Sequence, residues 1–212
     1  MKSFILIIAC LISLSVFVQN PEPEFDGKKW DAPYTFNTPE GWGVERFPIP
    51  ISFAPEIKYK GVEDIRFTPG WGKPESNEYW TYAFLWYING EVKTNAKIVE
   101  NNLTTYYTGL LDANLDPLKI SAGEWVPVTT KIEKVKAEGR DIKTFKGSIY
   151  MLDYIEQKPI TLNCIVHLNY CKEQDKTVLF YELSPRPFSD QIWQSLNQLW
   201  AGFGCNKALG TK

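Results

Sequence analysis

Apolar and polar positions along the chain follow two periods. Over 95–111, Val99, Leu103, Tyr106, Tyr107 and Leu110 recur at steps of three and four, which draws one apolar stripe and predicts a helix. Asn95 or Thr94 is placed to cap its start, and Gly109 weakens its last turn. Over 189–203, Ile192, Leu196, Leu199 and Phe203 draw a second stripe with Trp193 and Trp200 alongside. Ser189 is its expected N-cap, and Gly202 and Gly204 mark the stop.

The remaining apolar segments have the period of two that strands require. Residues 79–88, YWTYAFLWYI, are apolar or aromatic on both alternating sets, as in a central strand covered on both faces. Residues 126–136 alternate through Val128, Thr130 and Ile132. Residues 143–155 alternate through Phe145, Ile149 and Met151, with Tyr150, Leu152 and Tyr154 on the reverse. Residues 160–170 set Ile160, Leu162, Cys164, Val166 and Leu168 on one face, and 176–184 follow KEQDK, a polar connector suited to a hairpin. A shorter strand covers 63–68. Before it, seven prolines between Pro21 and Pro55 disfavour helix, while Trp30, Tyr34, Phe36, Trp42, Phe47 and Phe53 are interleaved with them. This composition predicts a loose arm over 19–30 and an extended proline-rich strap over 31–62 laid on the core.

The order of elements predicts an α+β fold. An antiparallel meander sheet carries two amphipathic helices and the N-terminal strap, all in a single domain over 31–212. This layout resembles the Mog1/PsbP-like fold, which also opens with strands, inserts a helix and ends in a helix after a meander. A cystatin-like or lipid-cavity arrangement fits the same order.

The N-terminus changes the picture of where the domain works. Lys2 is the only charge before an uncharged run, FILIIACLISLSVFV, over 4–18. That is short for a membrane span of ~20 residues and has the form of a secretory signal over 1–18. Ser13 and Ser15, or Val16 and Val18, fit the small-residue cleavage positions. Cys10 lies in the middle of the apolar run rather than at a cleavage edge, which disfavours a lipoprotein anchor. The expectation is an exported protein, periplasmic or secreted, with no membrane span once the signal is removed. The string GWGVERFPIPISFAPEIKYKGVEDIRFTPGW over 41–71, followed by EYWTYAFLWY, resembles a group of exported bacterial proteins without an assigned activity; it implies export and a single domain, and transfers no catalytic residue.

Across 212 residues, 23 Lys and Arg stand against 25 Asp and Glu, a net charge of −2. That balance argues against a sequence-independent grip on nucleic acid. Beyond the signal, three cysteines remain: Cys164, Cys171 and Cys205. Cys171 at the polar connector and Cys205 just past the last helix are the expected disulfide, with Cys164 a buried thiol on the apolar strand face. Cys164–Cys171 is the weaker pairing, since seven residues apart on an extended strand the two are ~23 Å apart. Three unpaired thiols are the alternative.

Conventional catalytic patterns are missing from the sequence. His167 is the only histidine and lies opposite Cys164 in strand parity, so the two form neither a dyad nor a metal site. No GxSxG, HExxH or glycine-rich phosphate loop occurs, and neither a metal nor a cofactor is expected. Glu63 and Asp64 point apart in a strand, and Asp112 and Asp116 read as solvated turn residues; neither pair makes a convincing glycosidase couple. Glu45-Arg46 and Asp64-Arg66 supply partners for structural ion pairs. Aromatics are the richest feature, with 8 Trp, 11 Tyr and 12 Phe, more than one strand face can hold around 71–87. The candidate binding residues are Trp42, Trp71, Tyr79, Trp80 and Tyr82, of which Trp42 and Trp71 sit in glycine-flanked loops. The reading is an exported, non-enzymatic domain that binds a small molecule or a protein partner through an aromatic surface. The alternatives are an exported hydrolase using carboxylates or His167, and an accessory subunit of an envelope complex.

Overall fold

The computed structural model describes residues 25–115, 125–137 and 139–207. The expected signal over 1–18, Cys10 and Asp116 lie outside them. Strands β1 (Gly43–Ile49), β2 (Gly61–Phe67), β3 (Tyr82–Asn89), β4 (Thr129–Val135), β5 (Lys143–Asp153), β6 (Lys158–Cys171) and β7 (Lys176–Ser184) form one antiparallel sheet in the order β1-β2-β3-β7-β6-β5-β4. Helix α1 (Ala96–Asn114) follows β3, and α2 (Ile192–Gly202) follows β7. The fold is α+β, and the last four strands are the expected meander.

The strap is where sequence and structure differ most. Residues 43–49 are a strand, paired to β2 with Glu45 opposite Ile65 and Phe47 opposite Glu63. Pro48 is tolerated there because β1 is an edge, where a missing N–H breaks no interior ladder. The described part of the arm, from Phe25, makes a turn at Asp26 and rests on β1, where the Arg46 guanidinium donates to the Gly27 carbonyl at 3.3 Å.

Two cores lie on opposite faces of the sheet. On one, Tyr82, Phe84, Trp86 and Ile88 of β3 meet Val99, Leu103, Tyr106 and Tyr107 of α1, along with Ile49, Ile51 and Ile57 of the strap. On the other, Ala83, Leu85 and Tyr87 meet Trp193, Leu196 and Leu199 of α2, with Tyr34 and Phe36. β3 is therefore covered on both faces, as its unbroken apolar sequence requires. The alternation over 143–155 stops at Asp153, so Tyr154 turns out of strand parity and packs on Trp80, ring to ring at 5.1 Å.

Asn95 caps α1, accepting the Ile98 N–H at 3.0 Å. α1 runs a turn beyond the expected end, through Gly109, whose missing Cβ admits the backbone of the strap. A Cβ there would stand 1.7 Å from the Phe53 carbonyl oxygen. α2 begins at Ile192 rather than beside Ser189, and the Ile192 N–H is taken by the Asp190 carboxylate at 2.9 Å. Its C-terminal carbonyls are capped from outside the helix: Arg140 donates to Trp200, Phe203 and, at 3.0 Å, Ala201. A cation at that end also complements the helix dipole.

Cys171 and Cys205 are joined, with Cα atoms 5.4 Å apart, and tie the end of β6 to the chain leaving α2. Cys164 is a buried free thiol in the α1-side core, its pKa pushed up to about 12 by burial.

Candidate functional site

α1 lies over β4 and β5 rather than over β1 and β2. The first two strands are left to be covered by loops, and these do not close over them. The result is a cleft of about 660 Å³ between the strap, the sheet and the C-terminal half of α1. Its floor is Glu45 and Phe47 of β1, Ile65 and Phe67 of β2, and Tyr82 of β3, all of one strand parity. Phe53 and Tyr106 form one wall, their rings edge to face at 5.1 Å. Trp71, Trp80 and Tyr154 form the other.

The second wall is held by the loop between β2 and β3. The Trp80 N–H donates to the Trp71 carbonyl at 3.0 Å, and the Gly70 N–H to the Glu78 carboxylate at 2.8 Å. Thr68 Oγ1 donates to the Thr81 carbonyl at 2.8 Å, closing the loop at its base. The Trp71 ring then packs tilted against Phe67, with centroids 4.7 Å apart, and edge to face against Trp80 at 5.7 Å. Trp80 holds φ at +51°, a left-handed conformation that is costly for a bulky side chain and persists only where surrounding contacts enforce it. The Trp71 indole N–H is buried and has no hydrogen-bond acceptor among the described residues.

Glu63 lies just behind the cleft. It points to the same face as Glu45 and Phe47, is completely buried, and accepts the Trp86 indole N–H at 3.0 Å; the Tyr106 hydroxyl faces it as well. Burial pushes its pKa up to about 7, against the pull of those donors, and Glu45 raises it further. Asp64 points the opposite way, as strand parity requires. It binds Arg66 and the Tyr34 hydroxyl, the latter at 3.0 Å, and stands 3.1 Å from Arg46 Nε.

Of the sequence candidates, Trp71, Trp80 and Tyr82 converge on this cleft. Tyr79 is beside it but directs its hydroxyl to Asp153, at 2.5 Å, and does not line it. Trp42 is on the other face of the sheet, half-buried beside Ser195, Gln198 and Leu199 of α2. Phe47, Phe53, Tyr106, Tyr154 and Glu45 were not foreseen as a group. Reading GVERFPI as a strand would have put Glu45 and Phe47 on the face of Ile65 and Phe67. A more open groove of about 880 Å³ separates residues 25–29 from β1, but charged side chains such as Asp26, Lys28 and Lys29 line much of it.

His167 is on the α2 face. Its Nδ1 is 2.7 Å from Asp141 and its Nε2 3.3 Å from Glu182, and the Trp200 ring stacks over it at 5.2 Å. Among the described residues no cluster of three or more His, Cys, Asp or Glu is arranged to hold a metal ion. No helix among them is long and apolar enough to cross a membrane.

Fold and cleft together define a class: a small α+β domain whose sheet leaves an aromatic cleft open beside its longer helix. Comparisons of the chain with protein-family models, curated proteins and solved structures give no match.

Proposed function

We propose that the chain is an exported, non-catalytic binding domain whose ligand lies in the aromatic cleft. The observation that carries this reading is the convergence of Phe47, Phe53, Phe67, Trp71, Tyr82 and Tyr106 around about 660 Å³ of open space. That volume is in the range of small-molecule sites, whose apolar walls give affinity and whose few polar groups give orientation. The bonded loop behind Trp71 and the left-handed Trp80 support a preformed wall. The unpartnered Trp71 N–H offers a donor to a ligand oxygen.

Two placements favour binding over hydrolysis. His167 is across the sheet from the cleft, with both ring nitrogens facing carboxylates. Glu63 is the carboxyl best tuned for acid chemistry, but it is fully buried and does not line the cleft. The Cys171–Cys205 disulfide supports an oxidising compartment and hence export. N-terminal sequencing of protein from its native host is expected to find a start between residues 16 and 20; an intact Met1 would count against export.

Tryptophan fluorescence is the direct test, because Trp71 and Trp80 are both in the wall. A panel of small apolar and amphipathic ligands should include some that shift the emission in a saturable way. Phe47→Ala and Trp71→Ala should weaken that response at least ~10-fold, in proportion to lost aromatic contact. A saturable response left unchanged by both substitutions would place the ligand elsewhere.

A further inference from the structure

We propose that the ligand of this cleft carries a positively charged ammonium head, held over aromatic rings beside the Glu45 carboxylate. This rests on the reading of the cleft as a ligand site, and it names the class that the site takes. Among the described residues lining the cleft, Glu45 is the only charged one, and they include no lysine, arginine or histidine. The Glu45 side chain is exposed and makes no salt bridge among the described residues. Its carboxylate is therefore open to whatever enters; Lys28, Lys29 and Arg46 share the neighbouring groove with it but make no ion pair to it among the described residues.

The rings around it have the chemistry to receive a cation. Aromatic faces attract ammonium groups, most strongly tryptophan, and several rings about one carboxylate form the cage that quaternary ammonium ligands use. Here Phe67, Trp71 and Tyr154, only partly buried, stand against the buried Trp80 and Tyr82 in a contiguous set with neighbouring ring centroids 4.7 to 6.3 Å apart, and the first three are the rings a ligand can reach. Glu45 stands close enough to Tyr154 and Glu63 for its charge to raise the pKa of both. Two further carboxylates stand close by: Glu63, directly opposite Phe47 in the strand register, and Asp153, which acts on Tyr154 as Glu45 does. Among its described lining residues the cleft thus holds a carboxylate and no cation. A carboxylate or phosphate ligand would meet the Glu45 charge and find no cationic partner among the described lining residues, which makes an organic cation the charged class that the cleft favours.

The test uses the full mature chain and three probes: choline, its uncharged carbon isostere dimethylbutanol, and the anion hexanoate. Binding is followed by tryptophan fluorescence and by calorimetry. Choline is expected to bind roughly ten-fold more tightly than dimethylbutanol, with hexanoate weakest. Glu45→Gln should bring choline down to the isostere, while Phe47→Ala weakens both. Phe47 and Glu45 are partly exposed, so both variants should fold, and a thermal melt checks this. If dimethylbutanol or hexanoate binds as well as choline and responds to Phe47→Ala, the cation is overturned and the aromatic site stands. If choline binds but is indifferent to both substitutions, the cation site is not this cleft and the inference fails. If none of the three binds at millimolar concentration while another ligand gives a Phe47-dependent response, the charge argument is again wrong. No Phe47-dependent response to any ligand would remove both the inference and the reading beneath it.

Discussion

Asp141 and His167 meet at 2.7 Å under α2, and the same aspartate accepts the Trp200 indole N–H at 2.8 Å, so one carboxylate joins the sheet to the helix above it. Thr144 donates to it as well, at 2.5 Å. Burial alone disfavours the charged imidazole, but the carboxylates of Asp141 and Glu182 outweigh it and push the His167 pKa up to about 9. Burial likewise opposes the Asp141 charge, and its hydrogen bonds from His167, Thr144 and Trp200 more than offset this, holding its pKa below the usual range.

The sign of the resulting pH dependence is fixed by His167 being more basic folded than unfolded. Its stabilisation is fully present below its unfolded value near 6.5 and is lost as pH rises through about 9. Denaturant melts across that window should show stability falling, by on the order of 3 kcal/mol if nothing else titrates. His167→Gln should flatten the slope above pH 6.5. It should also cost ~3–5 kcal/mol at neutral pH, because Asp141 and Glu182 are left buried without their cation. A melt series on the variant with the slope of the parent would show that another group titrates there.

The disulfide should carry a comparable share of the stability. Its cysteines are 34 residues apart in sequence, and cross-linking a loop of that size restricts the unfolded chain by roughly 3–4 kcal/mol. Reduction, or Cys171→Ser with Cys205→Ser, should lower the unfolding free energy by that amount and the melting temperature with it. Cys164→Ala should be milder, since it removes only one buried sulfur. Non-reducing peptide mapping that links Cys164 to either partner would contradict the pairing.

The sequence carried the sheet and both helices because each has a clean period: the 3.6-residue stripe through Val99, Leu103 and Tyr107, or the unbroken apolar run of β3. β1 was hidden by its composition. Its Pro48 argues against a strand, and its position at the sheet edge, which makes the proline acceptable, is a tertiary fact. The cleft was partly legible for the same reason. Trp71, Trp80 and Tyr82 are close in sequence and could be named, whereas Phe53, Tyr106 and Tyr154 reach the cleft only through folding. The partners of His167 come from the β4–β5 connection and from β7, which no local pattern could show.

Gly109 tests how closely the strap must approach α1. A methyl group at that position would collide with the Phe53 carbonyl, which is backbone and cannot rotate away. Gly109→Ala, which in an exposed helix would stabilise by ~1 kcal/mol, should instead destabilise by ~1–3 kcal/mol. It should also move Phe53 and so weaken ligand binding in the cleft. An increase in thermal stability would mean that the strap is free to shift outward.

Glu63 gives the sheet's other face its own pH dependence, in a different window from that of His167. Its carboxyl is more basic folded than unfolded because burial among Trp86, Tyr106 and Tyr181 penalises the charge more than the Trp86 N–H helps it. The neutral form is therefore the one that fits the fold. The associated stability is fully present below about pH 4.5 and is lost as pH rises through about 7. Glu63→Gln keeps the shape, retains an oxygen for Trp86, and cannot ionise. It should leave stability at pH 4 nearly unchanged and raise it at pH 8, by on the order of 3 kcal/mol if burial acts alone. The two histidine and glutamate slopes overlap only around pH 6.5–7, so melts of both single variants and the double variant separate them. A Glu63→Gln variant that is less stable than the parent at pH 8 would show that the carboxylate is ionised and paired in the fold, contrary to this account.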